Sequence, residues 1–97
     1  MTDINQLISI IIPVFNESES IGFLLNEVIS VMESHKFNFE LIVVNDGSTD
    51  DTHQVLKQLT LKITELTVIG LRKNYGQTAA MAAGFDNSKG DILITLD

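Results

Sequence analysis

The sequence predicts an α/β domain built on a parallel sheet, and three observations lead there. Residues 8–15, 39–44, 66–71 and 91–96 are apolar runs, the first two nearly unbroken and rich in Ile and Val. Continuous rather than alternating apolarity is the mark of strands covered on both faces. Between the runs lie segments with apolar residues at helical spacing, joined by short connections. The resulting β-α-β-α-β-α-β order gives parallel strands with right-handed crossovers. Finally, the first, second and fourth runs empty into polar residues: Asn16-Glu17, Asn45-Asp46-Gly47-Ser48, and Asp97. Open sheets bind ligands beyond the carboxyl ends of their strands.

The first strand starts at Ile8, and Pro13 limits it, because proline cannot donate to a ladder; the strand proper is expected to end at about Ile12. Asn16 then has the character of a helix N-cap, with Glu19 three residues on as its reciprocal partner. Ile21, Leu24, Leu25, Val28, Val31 and Met32 follow on one helical face. The second unit repeats the pattern: a strand over 39–44, a turn at Asp46-Gly47-Ser48, a cap sequence over 48–51, and a weaker helix turning Val55, Leu56 and Leu59 inward. A third strand covers 66–71. A helix over 76–85 carries Ala79, Ala80, Ala82 and Ala83, a small-residue face suited to close approach to a sheet. Lys89-Gly90 turns the chain into the fourth strand. For a doubly wound sheet of about four strands with flanking helices the order is 3-2-1-4. Asn16-Glu17 and Asp97 would then flank one crevice, with Asp46 one strand further out.

At 97 residues the chain is one small domain, and 44% hydrophobic residues suffice for a core. Thirteen acids against six bases leave a net charge of −7, which repels nucleic acid. The absence of cysteine excludes disulfides and thiolate chemistry. The N-terminus has no basic region of a secretory signal. No stretch approaches the roughly 18 apolar residues of a membrane-spanning helix. A cytoplasmic location is expected.

Each motif carries two readings. Asp46, just past a buried strand, can accept a hydrogen bond from a ring N–H or a sugar hydroxyl, or can merely cap its own turn, the commoner role of such residues. Phe15 is either an aromatic face for a base or core at a strand end. Asn16 and Glu17 line a site, or serve as a cap and a first-turn acid that complements a helix dipole. Arg72-Lys73 is the place where two bases adjoin, either a phosphate counter-charge or a solvated loop. Asp97 is a metal ligand or a strand-end turn residue; an ion would require further oxygen ligands. His35 and His53 read as surface histidines. The chain has no Gly-x-Gly-x-x-Gly after its first strand, no P-loop and no Gly-x-Ser-x-Gly elbow.

Taken together, Ile10-Ile11-Ile12-Pro13-Val14-Phe15-Asn16-Glu17, Val44-Asn45-Asp46-Gly47-Ser48-Thr49-Asp50, Arg72-Lys73-Asn74-Tyr75-Gly76 with Ala80 and Gly84, and Gly90-Asp91-Ile92 to Leu96-Asp97 resemble the family 2 glycosyltransferases. Within that family they are most similar to the polyprenyl-phosphate branch, which includes dolichol-phosphate mannose synthase. The resemblance covers nearly all of the chain after Leu7. It implies a Rossmann-like GT-A fold, of which residues 1–97 are the N-terminal nucleotide-sugar-binding half, truncated at the metal motif. It implies substrate-binding roles for Pro13, Val14, Phe15, Asn16, Glu17, Asp46, Arg72, Gly76 and Asp97. Pro13, Phe15 and Glu17 would line the base and ribose pocket, and Asp46 would bond the base. Asp97 would be the first acid of an Asp-x-Asp motif that carries Mg2+ or Mn2+. Phe15 stands where the family more usually has Tyr, which keeps the aromatic face and loses a hydroxyl.

The implied reaction is transfer of a sugar, with inversion, from a UDP- or GDP-linked donor to an acceptor, a polyprenyl phosphate at the cytoplasmic face of a membrane. Charge agrees with the implied metal. A diphosphate beside Glu17, Asp46 and Asp97 sets like charges together, and a divalent cation resolves the conflict. Two alternatives stand beside this reading: a nucleotide-binding fragment without turnover, and an unrelated metal-dependent nucleotidyltransferase. A fragment of this kind would leave the fourth strand's outer edge unpaired, and an oligomer through that edge is expected.

Overall fold

The computed structural model describes residues 6–96. Its strands are β1 (Leu7–Val14), β2 (Asn38–Asn45), β3 (Leu66–Gly70) and β4 (Ile92–Thr95). The helices are α1 (Ile21–Ser34), α2 (Thr52–Thr60) and α3 (Gln77–Asp86). The sheet order is β3-β2-β1-β4, the predicted 3-2-1-4, and every neighbouring pair is parallel.

Strand parity divides the core in two. Ile8, Ile10, Ile12 and Val14 of β1, with Leu41 and Val43 of β2, pack beneath Ile21, Leu25 and Met32 of α1 and Leu56 of α2. Ile11, Ile42 and Val44 turn to the other face and meet Ala80 of α3. Both sides of β1 and β2 are therefore covered, which is why their sequences are apolar without alternation. The small residues of α3 permit its close approach: a methyl group at Gly84 would lie 2.4 Å from Ile11 Cγ2.

Pro13 does not end β1. It pairs in register with Val44, and the strand runs on to Val14. The reason is the direction of the peptide groups. The Ile11 carbonyl accepts from the Leu96 N–H, whereas the Val14 carbonyl accepts from the Asp46 N–H. Odd-numbered peptides of β1 thus face β4 and even-numbered ones face β2. The N–H that proline lacks would point to the β4 side, past the last pair there, Ile11 with Thr95.

The expected cap at Asn16 is also corrected: α1 begins at Ile21, with Ser20 before it. A turn over 17–20 intervenes, in which the Glu17 carbonyl accepts the N–H groups of Ser20 (3.1 Å) and Ile21 (2.9 Å). Asn16 takes a left-handed conformation, φ 53°, and spends its side chain elsewhere. At α2 the capping carboxylate is Asp50, which accepts the Thr52 N–H at 2.9 Å.

β4 is exposed on both faces at Leu93 and Ile94, and among the described residues no strand pairs with its outer edge. None of the helices among the described residues is long and apolar enough to cross a membrane.

Candidate functional site

Parity also builds the site. Ile42 and Val44 face α3, so Asp46 emerges from β2 toward that helix. Its side chain is buried, 4% exposed, and both carboxylate oxygens accept backbone N–H groups. Oδ1 takes Tyr75 at 2.8 Å and Oδ2 takes Gly76 at 2.9 Å. Gly76, at φ 101°, stands immediately before α3, so Asp46 supports the start of a helix 30 residues away rather than its own turn. The Asn74 side-chain amide adds a bond to the Asp46 carbonyl. The whole 72–76 loop is thereby tied to the end of β2.

Above this junction lies a cleft of about 310 Å³ lined by Pro13, Val14, Phe15, Glu17, Asp46, Asn74, Gly76 and Gln77. Six of the residues predicted from the sequence meet here: Pro13, Val14, Phe15, Glu17, Asp46 and Gly76. Phe15 is 42% exposed, so it presents its ring to the cleft instead of filling core. A second cleft, about 590 Å³, adjoins the first through Phe15 and Asn74 and holds Arg72, Lys73 and His53. Arg72 thus lies on the basic neighbour of the acid-lined cleft, and Lys73 places its ammonium 5.2 Å from the Tyr75 ring centre.

Asn16 lines neither cleft. Its side-chain oxygen accepts the Thr49 N–H at 2.8 Å and the Asp50 N–H at 3.3 Å, and its own N–H donates to the Ser48 hydroxyl at 2.9 Å. It joins the loop after β1 to the loop after β2. Next to it, the Glu17 N–H donates to the buried Thr52 hydroxyl at 2.9 Å, and that hydroxyl donates to Asp50. The Thr52 hydroxyl is the largest influence and holds the Asp50 carboxyl below its usual range; desolvation opposes it, and Thr52's N–H and Ser18 add to the lowering. Gln77 and Thr52 are the parts that sequence reasoning did not single out; Asn74 stood only within the 72–76 motif, and Asp50 only within the expected cap sequence over 48–51, which it fulfils. The Asp-x-Thr spacing ahead of α2 was the available signal for Thr52.

Chemically, the first cleft offers an aromatic face and carboxylate acceptors, with amide groups at its rim, and the second offers cations. Asp97, the sequence's candidate metal ligand, lies outside the described residues. Among the described residues no group of three His, Cys, Asp or Glu side chains could hold a metal.

The sequence profile of Glycosyl transferase family 2 matches residues 9–97. The chain belongs to this family. Among its relatives, the undecaprenyl-phosphate 4-deoxy-4-formamido-L-arabinose transferase of Aeromonas hydrophila subsp. hydrophila is 40% identical over 97 residues, which cover 99% of this chain and 29% of that protein. The dodecaprenyl-phosphate galacturonate synthase of Rhizobium johnstonii is 41% identical over 91 residues, 93% of this chain and 27% of that protein. The chain therefore spans less than a third of the length of these relatives. Among solved structures, glucosyl-3-phosphoglycerate synthase from Mycobacterium tuberculosis, in complex with Mn2+, UDP and phosphoglyceric acid, superposes with a TM-score of 0.73 at 25% identity, over 96% of this chain and 33% of that one. The fold of this family 2 chain is the Rossmann-like part of GT-A. Membership replaces the nucleotidyltransferase alternative.

Proposed function

We propose that this chain is the N-terminal donor-binding part of a glycosyltransferase that moves a sugar from a UDP- or GDP-linked donor to a polyprenyl phosphate, with inversion, at the cytoplasmic face of a membrane. The observation that carries the reading is the junction of the two clefts at Phe15 and Asn74, one with acceptor carboxylates and one with cations. A nucleobase would stack on Phe15 and donate an N–H to Asp46, whose two bonds to Tyr75 and Gly76 leave lone pairs free, since a carboxylate has about four acceptor positions. Arg72 and Lys73 would face the phosphates. The polyprenyl-phosphate acceptor is supported by the relatives of Aeromonas and Rhizobium, whose names specify such lipids. That acceptor is already anionic, so transfer would need no strong general base.

Mg2+ or Mn2+ belongs to the same proposal, supported by the Mn2+ beside UDP in the Mycobacterium structure. The described residues do not by themselves supply a set of metal ligands. Asp97 is the residue proposed to contribute.

A chain that spans under a third of its relatives is proposed to bind donor without turning it over. Titration calorimetry of the 97-residue chain with UDP and with GDP tests the reading. Saturable binding of one of them is expected, and binding of neither overturns it.

A further inference from the structure

The β1 ladder ends at Val14, paired with Asn45, so residues 15–17 leave the sheet without a strand beside them. What holds them is hydroxyl chemistry. The consecutive N–H groups of Asn16 and Glu17 donate to Ser48 and to Thr52 in turn. Thr52 is fully buried, and its hydroxyl accepts from Glu17 while donating to Asp50. The hydroxyl does nothing for the backbone of α2, because the Thr52 N–H already has its own bond to Asp50.

We infer that Thr52 is a positioning residue of the cleft: its hydroxyl, aimed by Asp50, fixes the Glu17 peptide and so sets where Phe15 and Glu17 stand opposite Asp46. The inference rests on the donor-binding reading of that cleft. Thr52 touches neither cleft, lying one peptide behind the residues that do. A valine there would keep the shape and lose both roles of the hydroxyl. A serine would keep both roles and lose a methyl. With valine, the Glu17 N–H is left without its acceptor and the segment carrying the aromatic face has one anchor fewer.

The experiment compares the wild-type 97-residue chain with Thr52→Val and Thr52→Ser, reading amide hydrogen exchange by NMR and affinity for UDP and GDP by calorimetry. In Thr52→Val the Glu17 amide should exchange at least about tenfold faster, and nucleotide affinity should fall roughly three- to tenfold, the range of one lost hydrogen bond. The Tyr75 and Gly76 amides on Asp46 should keep their protection, and Thr52→Ser should restore both Glu17 protection and affinity. Exposed Asp50→Ala, which removes the group that aims the hydroxyl from outside the core, should lower affinity in the same direction even if the valine variant does not fold. Unchanged affinity in Asp50→Ala or Thr52→Val, or protection at Glu17 that survives the valine, overturns the inference. Wild-type chain that binds neither nucleotide overturns the donor reading and this inference with it, and that failure is visible before any substitution is made.

Discussion

Gly47 lies directly against the backbone of Lys73: a methyl group on its α-carbon would sit 2.2 Å from the Lys73 carbonyl carbon. It also holds φ at 68°, a region that side chains disfavour. Gly47→Ala therefore faces strain and collision together, and the collision is with backbone, which cannot rotate away. We expect a loss of at least about 1–3 kcal/mol, the cost of one strained residue, in urea unfolding. The 72–76 loop should also shift, weakening nucleotide binding. An alanine variant of unchanged stability would mean that the two loops can separate freely.

Replacing Asp46 with Ala strips the acceptors from two N–H groups at a buried junction. The fold should lose about 1–3 kcal/mol, the usual cost of buried partners left unsatisfied. The Tyr75 and Gly76 amides should lose protection in hydrogen exchange. Nucleotide affinity should fall by a comparable amount if Asp46 also meets the base. Loss of protection with unchanged affinity would leave Asp46 as a latch for the loop alone.

Acid should loosen the clasp between the first two loops. The Asp50 pKa is lowered on folding, chiefly by the Thr52 hydroxyl. Between the folded value and the unfolded one of about 3.9, the unfolded chain binds more protons, so stability rises with pH. Asp50's contribution is fully present above the unfolded value and is lost as pH falls through the folded one. Asp50→Asn should flatten this part of the stability profile, as followed by urea midpoints below pH 5.

The proposed metal dependence is testable on the chain, whose net charge of −7 disfavours a bare diphosphate. Mn2+ should tighten binding of UDP or GDP to the chain, and Asp97→Asn should remove that gain. Uridine or guanosine, which lack the diphosphate, should bind alike with and without the ion. Identical UDP and GDP affinities in excess chelator and in Mn2+ would show the diphosphate held by Arg72 and Lys73 without it.

The outer edge of β4 should cause self-association. Leu93 and Ile94 are 46% and 40% exposed beside an edge that no strand pairs among the described residues, a combination that favours pairing with a second copy. Sedimentation should show concentration-dependent association that Leu93→Lys reduces. Equal behaviour of the two would place the association elsewhere or nowhere.

The sheet was legible because burial on both faces writes itself into β1 and β2 as runs of Ile and Val; the 3-2-1-4 order rested further on taking the alternating units as doubly wound, and the strands take that order. Two local readings failed for one shared reason. Pro13 and Asn16 were judged from their own neighbours, whereas their roles are decided by partners far along the chain: the side of the sheet each peptide faces, and the 48–50 loop. Asp46 illustrates the same limit. Its place at a strand end was readable, but its pairing with Tyr75 and Gly76 depends on how α3 docks, which no local pattern encodes. Thr52 escaped notice because a threonine opening a helix is unremarkable until its hydroxyl is seen to be buried.

The sheet order also fixes a timetable. β1 is interior to the sheet, yet its pairing with β4 begins with Ile8 against Ile92, so β1 waits for a strand more than 80 residues further along the chain. Pairings of such long sequence separation carry a large loop-closure cost and slow folding. The β1–β2 ladder has eight residue pairs and the β1–β4 ladder four, so β4 is the strand expected to join last and to open first in native-state fluctuations. On the ribosome, β1 and β2 can assemble beneath α1 while β4 is still in the exit tunnel, leaving one side of β1 bare until β4 emerges.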